Sequence, residues 1–101
     1  MKRLPDLVAA VHFYTTAEGG RNSPTPPHIY RCLIEFEGEK FDCGLHLDES
    51  GALEPGRTAI IPITLLSPQL LKPRLMKGSQ FALWEMKIIA QGVVERIIET
   101  S

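Results

Sequence analysis

The dominant hydrophobic pattern along the chain has a period of two, which predicts β-strands rather than helices. Alternate positions from Leu7 to Phe13 are apolar and share one parity, while His12 falls on the other. Cys32 to Phe36 and Ala59 to Leu65 repeat this alternation further along the chain. The pattern predicts six strands, at residues 7–14, 29–36, 41–47, 58–66, 80–85 and 88–98.

Residues that favour turns separate these segments. Gly, Pro, Asn and Ser crowd residues 18–27, which predicts a long loop, and Gly38 and Pro55-Gly56 mark turns. Pro62 predicts a strand edge or a bulge at its position, and Gly92 predicts a bulge or bend in the last strand. Six strands without a credible helix predict a small all-β domain, an antiparallel barrel or sandwich.

Residues 66–78 form an apolar segment that lacks regular alternation. Pro68 and Pro73 disfavour a helix, so we expect a loop with at most one 3₁₀ turn. Its exposed apolar side chains are candidates for a partner-binding patch. These are Leu70, Leu71, Leu75 and Met76.

Composition fits a single globular domain. The chain has 101 residues, of which 44% are hydrophobic and 23% charged, with a formal net charge of −1. This balance argues against a nucleic-acid clamp of the usual basic kind. Seven acidic residues and one lysine fall in residues 35–54, which predicts an acidic surface there.

Nothing in the sequence predicts a membrane segment. No apolar run approaches the roughly 20 residues of a membrane helix. Lys2 and Arg3 are followed by Pro5 and Asp6 rather than by the apolar region of a secretory signal. We therefore expect a cytoplasmic protein that makes no membrane contact.

Residues able to carry out catalysis are few. Cys32 and Cys43 are expected on neighbouring strands as reduced core thiols, and the alternative of a zinc site with His46 is disfavoured. Positions 43 and 46 point to opposite faces of a strand, and no fourth ligand lies near. No phosphate-binding glycine loop is present. We therefore expect a protein without enzyme activity, bound metal or cofactor. The remaining enzymatic alternative is thiol chemistry at Cys32 or Cys43.

Trp84 has the opposite parity to its apolar neighbours Phe81 and Leu83. It therefore points outward, where it either anchors a partner or covers one end of the barrel.

Residues 13–24, which read FYTTAEGGRNSP, resemble the signature of the third, C-terminal domain of elongation factor Tu. That family has an apolar strand running into Glu-Glu-Gly-Gly-Arg, a polar residue, Thr or Ser, and Pro. Tyr30-Arg31, Pro55-Gly56 and Gly92-Val93-Val94 keep the family's order downstream. The resemblance covers residues 7–98, nearly the whole chain.

The resemblance implies a six-stranded antiparallel closed barrel of Greek-key type, as one domain over residues 1–101. It also implies a binding module rather than an enzyme, because the family's GTPase domain is absent from this chain. In the family this domain contacts aminoacyl-tRNA, the nucleotide-exchange factor and its own GTPase domain. Candidate binding residues on this basis are Glu18, Gly19, Gly20, Arg21, Asn22 and Arg31, with Trp84 and the apolar segment.

Departures from the family pattern weaken the expectation of RNA binding. Glu37-Gly38-Glu39 replaces the family's Arg-Thr-Thr segment, and Asn22 stands where His or Lys is common. We therefore expect a protein-interaction module that binds a translation-factor-related protein or a second copy of itself. A translation component that contacts aminoacyl-tRNA through Arg21 and Arg31 is the alternative.

Overall fold

A computed structural model of the chain describes residues 4–99, so Lys2 and Arg3 lie outside the described residues. Within residues 4–99, six strands, one short α-helical segment and one 3₁₀ turn account for the regular structure. The strands are β1 (Leu7–Phe13), β2 (Ile29–Phe36), β3 (Glu39–His46), β4 (Thr58–Leu65), β5 (Gln80–Trp84) and β6 (Ile88–Ile97). The helical segment is α1 (Pro68–Leu71), followed by a 3₁₀ turn at Lys72–Arg74.

The strands form a closed antiparallel barrel in the order β1-β4-β3-β2-β5-β6. Pairing of β6 with β1 completes the closure. Strands β2, β3 and β4 are consecutive neighbours, and β1 lies on the far side of β4 after a long β1–β2 connection, which is a Greek-key arrangement. The predicted fold class is confirmed.

Alternating side chains fill the barrel. Along β1 every second residue from Leu7 to Phe13 is buried, as the period of two predicts. The same holds for Ile61, Ile63 and Leu65 in β4, all fully buried. The inward residues of the six strands form one hydrophobic cluster.

The expectation of a loop at residues 66–78 was wrong in part, because α1 and the 3₁₀ turn occupy its first half. Pro68 is the first residue of α1, and Pro73 is the second residue of the 3₁₀ turn. An N–H there has no helical acceptor, so proline removes no hydrogen bond. Leu71 and Leu75 are buried by this arrangement. In residues 4–99 no helix has the length and apolar character needed to cross a membrane.

The prediction of a bulge at Gly92 was also wrong. The β1–β6 register skips Glu95, and the β5–β6 register skips Ile89, so the bulges lie at those positions. Gly92 pairs directly with Phe81, and a Cβ on Gly92 would lie 2.3 Å from the Phe81 ring. Its role is to leave room for that ring.

Pro62 lies where one ladder of β4 ends. Strand β4 pairs with β1 over six positions that include Pro62, but with β3 only at Ile63, Thr64 and Leu65. Although β4 is not an edge strand of the barrel, Pro62 occupies a local edge, where its missing N–H removes no β3 bond.

Candidate functional site

The loop that carries the resemblance is held by its own local hydrogen bonds. The Thr15 backbone N–H donates to Glu18 Oε1 at 2.8 Å, and the Glu18 N–H donates to Thr15 Oγ1 at 3.1 Å, which is a capping box. The bond from the Thr15 backbone N–H, followed by an interaction of the Thr15 hydroxyl with the same carboxylate, lowers the pKa of Glu18. Gly19 has φ = 93°, and Gly20 N–H closes the turn on Thr15 O at 2.9 Å, a Schellman arrangement.

Close packing explains the second glycine of this loop. Gly20 is buried, and a Cβ there would lie 2.3 Å from the Tyr14 carbonyl oxygen. Asn22, by contrast, is exposed. The Glu-Gly-Gly core of the signature therefore has a structural explanation that needs no ligand.

The Arg21 side chain forms hydrogen bonds within the protein. Its guanidinium donates to the carbonyl oxygens of Ser23 and Pro24, to the Tyr30 hydroxyl and to Glu85 Oε1. The Tyr30 hydroxyl in turn donates to Glu85 Oε1 at 2.6 Å. Burial, followed by this hydrogen bond, raises the pKa of Tyr30. The Arg21 side chain is 20% exposed, and its guanidinium donates to the loop carbonyl groups, Tyr30 and Glu85.

The acidic hairpin lies away from this loop. Glu37 and Glu39 bind Arg74 at 2.9 and 2.6 Å at the far end of β2, whereas Tyr30 lies near its start. Strand geometry separates the two ends by about 20 Å. The acid beside Arg21 is Glu85, which is 64 residues away in sequence.

The apolar segment divides between core and surface. Leu71 and Leu75 belong to the hydrophobic core, so the prediction that they form a partner surface was wrong. Leu70 and Met76 are exposed, by 57% and 68%. Leu71 is the last residue of α1, and Leu75 directly follows the 3₁₀ turn in extended conformation. The sequence did not predict their burial, because the two prolines argued against any helical structure here.

The two cysteines lie directly opposite each other on β2 and β3. Both are buried and reduced, with 3.8 Å between the sulfur atoms. The hydrogen bond with Cys32, followed by burial, raises the pKa of Cys43. Because the thiolate is the nucleophile, a raised pKa disfavours thiol chemistry. His46 lies on the outside, where its Nε2 is 2.6 Å from Thr64 Oγ1.

A different surface combines exposed apolar and charged groups. We call it the β2–β3 face, after the strands whose outward residues form its centre. Two adjacent grooves of about 430 and 310 Å³ cross it and share Arg31 and Leu66. The face comprises Ile29, Arg31 and Leu33 of β2, Asp42 and Gly44 of β3, Leu66, Trp84 and Met86.

Arg31 and Asp42 are the notable charges of this face. Both are exposed, and neither has an ion-pair partner within residues 4–99. Arg31 is directly opposite Gly44, which lines the same groove and has no side chain. Asp42 is directly opposite Leu33.

Two residues with unusual backbone conformations border this face. His28 and Met86 have φ of 68° and 65°, in the left-handed region that favours glycine. Met86 is also 91% exposed, and it follows Trp84 at the β5–β6 turn. Glu37 of the β2–β3 hairpin turn, which lies away from this face, has the same conformation at φ = 51°, so the left-handed backbone at His28 and Met86 is typical of residues where the chain turns.

Trp84 lies on the outer wall of the barrel and does not cover one of its ends. It pairs with Leu33 across β2 and is half-buried, with Lys40 Nζ 4.8 Å from its ring centroid. The outward parity predicted for Trp84 is confirmed.

Sequence reasoning selected Arg31 and Trp84 but missed other members of the face. Ile29 and Leu33 could have been found from their outward parity on β2, since apolar residues there interrupt a polar face. Leu66 and Met86 carried no such signal, because they join the face through strand pairing between distant segments. Compared with known proteins, the chain matches no protein-family model and no curated protein.

Proposed function

We propose that this protein is a non-enzymatic binding module that acts through protein–protein interaction at the β2–β3 face. One observation carries the proposal. Arg31 is exposed and lacks an ion-pair partner in the described chain, yet exposed apolar side chains surround it. An acidic group of a partner would complete this arrangement.

The composition of the face supports the proposal. Trp, Met and Arg are enriched at protein interfaces, and Trp and Arg dominate binding hot spots. Leu66 and Met86 are exposed by 47% and 91%, next to Trp84. Burial of these side chains by a partner would remove apolar surface from water.

The resemblance to the third domain of elongation factor Tu supplies a biological setting for the proposal. A partner related to a translation factor in the cytoplasm, or a second copy of this chain, fits that setting. Contact with tRNA is less well supported, because the donors of Arg21 bind Glu85, Tyr30 and nearby carbonyl groups.

Affinity capture with a charge-reversal variant tests the proposal. Tagged wild type, Arg31→Glu and the control Arg57→Glu are incubated with lysate of the source cells, and retained proteins are quantified by mass spectrometry. Arg57 is exposed and lies outside the face, so its variant controls for net charge. We expect at least one protein, or added untagged chain, to be retained by wild type and Arg57→Glu and depleted about 30-fold by Arg31→Glu.

Two results would contradict the proposal. Equal retention of every bound protein by Arg31→Glu and wild type would show that the face is not the binding surface. Retention of nothing by wild type, including its own untagged chain, would argue against an interaction module.

A further inference from the structure

The charges of the β2–β3 face form a self-complementary pattern. Arg31 is opposite Gly44 and Leu33 is opposite Asp42 on the two paired strands. These four outward positions form a quadrilateral. Arg31 and Asp42 lie at the ends of one diagonal, and Leu33 and Gly44 at the ends of the other.

We propose that the partner of this face is a second copy of the chain, bound about a two-fold axis. The inference rests on the proposed function, because it uses the same face. The axis lies in the interface along the Leu33–Gly44 diagonal. It places Arg31 of each copy over Asp42 of the other, which forms two identical ion pairs.

The residues on the axis suit this arrangement. In a two-fold interface, a residue on the axis meets its own copy, so a charged residue there would oppose a like charge. Here the axis passes Leu33, which is apolar and half-buried, and Gly44, which has no side chain of its own and is buried beside the apolar side chain of Ile29. Both unpaired charges lie off the axis and receive a partner of opposite sign.

The same two-fold rotation also brings exposed apolar residues of the two copies together. Leu66 lies beside Asp42, since its backbone N–H donates to the Asp42 carbonyl oxygen. Ile29 lies beyond Arg31 along β2, and the axis brings Ile29 of one copy towards Leu66 of the other. These side chains are 45% and 47% exposed in the single chain, so the dimer would bury an apolar pair on each side of the axis.

Light scattering coupled to size exclusion, with a charge-swap series, tests this proposal. Wild type should elute with twice the mass of the 11.3 kDa chain. Arg31→Asp and Asp42→Arg should each be monomeric, with a dimer Kd raised about 100-fold, because each places like charges in contact twice. Arg57→Asp is the control and should remain dimeric.

Mixing the two single variants makes the test specific. In an equimolar mixture of Arg31→Asp and Asp42→Arg, each copy's residue 31 again faces an opposite charge at residue 42 of the other copy. One pair has the native sign and the other the reversed sign, so a heterodimer should appear. The double variant should likewise regain the dimer. Recovery also shows that the single variants were folded, and circular dichroism of each confirms this.

Even a weak dimer would be partly formed at a chain concentration of about 1 mM. If wild type is still monomeric at that concentration, the proposal of a dimer is wrong. Single variants that remain dimeric, or a mixture that stays monomeric, overturn the proposed axis. If wild type is monomeric but captures another protein that Arg31→Glu loses, the dimer fails and the proposed function stands.

Discussion

Phe81 packs in the barrel because the strand opposite it carries Gly92. The two are directly paired, and the space that a Gly92 side chain would fill contains the Phe81 ring. Gly44 is a useful comparison. It is also buried in a strand, but the nearest atom to an added Cβ, Ile29 Cγ2, is 3.5 Å away, an ordinary contact.

Substitution of these two glycines should therefore differ in its effect. Gly92→Ala should lower the free energy of unfolding by about 1–3 kcal/mol, because the ring must move in a packed core. Gly44→Ala should change it by less than about 0.5 kcal/mol. Urea denaturation measures both, and equal effects would show that Phe81 does not depend on Gly92. Phe81→Leu should restore part of the loss in Gly92→Ala.

Arg21, Tyr30 and Glu85 form a polar cluster at the residue scale. The guanidinium, the phenol and the carboxylate bond one another, and Arg21 also lies 5.1 Å from the Tyr30 ring centroid. The folded state holds the Tyr30 hydroxyl in its neutral form, with its pKa raised above the usual value. The unfolded chain releases this proton near pH 10.

Alkaline pH should therefore reduce the contribution of Tyr30 to stability. The contribution is fully present below pH 10 and is lost as the pH rises above it, because the unfolded state then releases a proton that the folded state retains. Between pH 10 and 11, wild type should lose stability more steeply than Tyr30→Phe, by up to about 1.4 kcal/mol per pH unit. Urea titrations from pH 8 to 11 measure both slopes. Parallel slopes would contradict the raised pKa.

At the scale of elements, Arg74 connects the 3₁₀ turn to the β2–β3 hairpin. It binds Glu37 and Glu39 and also lies 5.5 Å from the Phe36 ring centroid. The hairpin turn has positive φ at both Glu37 and Gly38, as a type I′ turn requires. Because these ion pairs are exposed, we expect them to stabilise the contact between the turn and the hairpin but to add little to the stability of the whole barrel.

Arg74→Met should therefore loosen the hairpin locally. Amide hydrogen exchange at residues 36–40 should become several-fold faster, while exchange in β1 and β4 should change little. Addition of 1 M salt to wild type should give part of the same effect by screening. Lys77→Met, which removes an exposed charge without an ion-pair partner in the described chain, is the control. Uniform acceleration in every strand would contradict a local role.

The elements themselves could be predicted to different degrees. Strand β2 was predicted with its observed bounds, and the other strands within two residues, because alternation is a local signal. The short helix was missed because its two prolines argue against helix on average but are compatible with first-turn positions. The bulges at Ile89 and Glu95 were missed because register depends on the neighbouring strand.

At the scale of the whole molecule, barrel closure determines which charges are available to a ligand. Pairing of distant strands brings Glu85 beside Arg21 and Arg74 beside Glu37. The chain has a net charge of −1, and Arg31 is the candidate RNA-contacting cation that remains unpaired in the described chain. A surface of this kind gives little of the electrostatic affinity that nucleic acids require.

Binding to tRNA should therefore be very weak. In a filter-binding titration at physiological salt we expect a Kd above about 10⁻⁴ M, in or beyond the usual range of non-specific binding. Arg21→Met should leave it unchanged. Micromolar binding that weakens steeply with salt and is lost in Arg21→Met would contradict the prediction and favour a translation component.

The sequence by itself determined the six strands, their inward faces and the outward position of Trp84, because alternation along a strand depends on neighbouring residues alone. The order of the strands and the partners of charged groups were decided by the tertiary structure. The sequence suggested that Arg21 contacts a ligand, but in the fold its guanidinium binds Glu85 and Tyr30. Arg31 and Asp42 define a surface only because β2 and β3 align them beside Leu66 and Met86. Such groups meet through contacts between residues far apart in the chain, which no local pattern specifies.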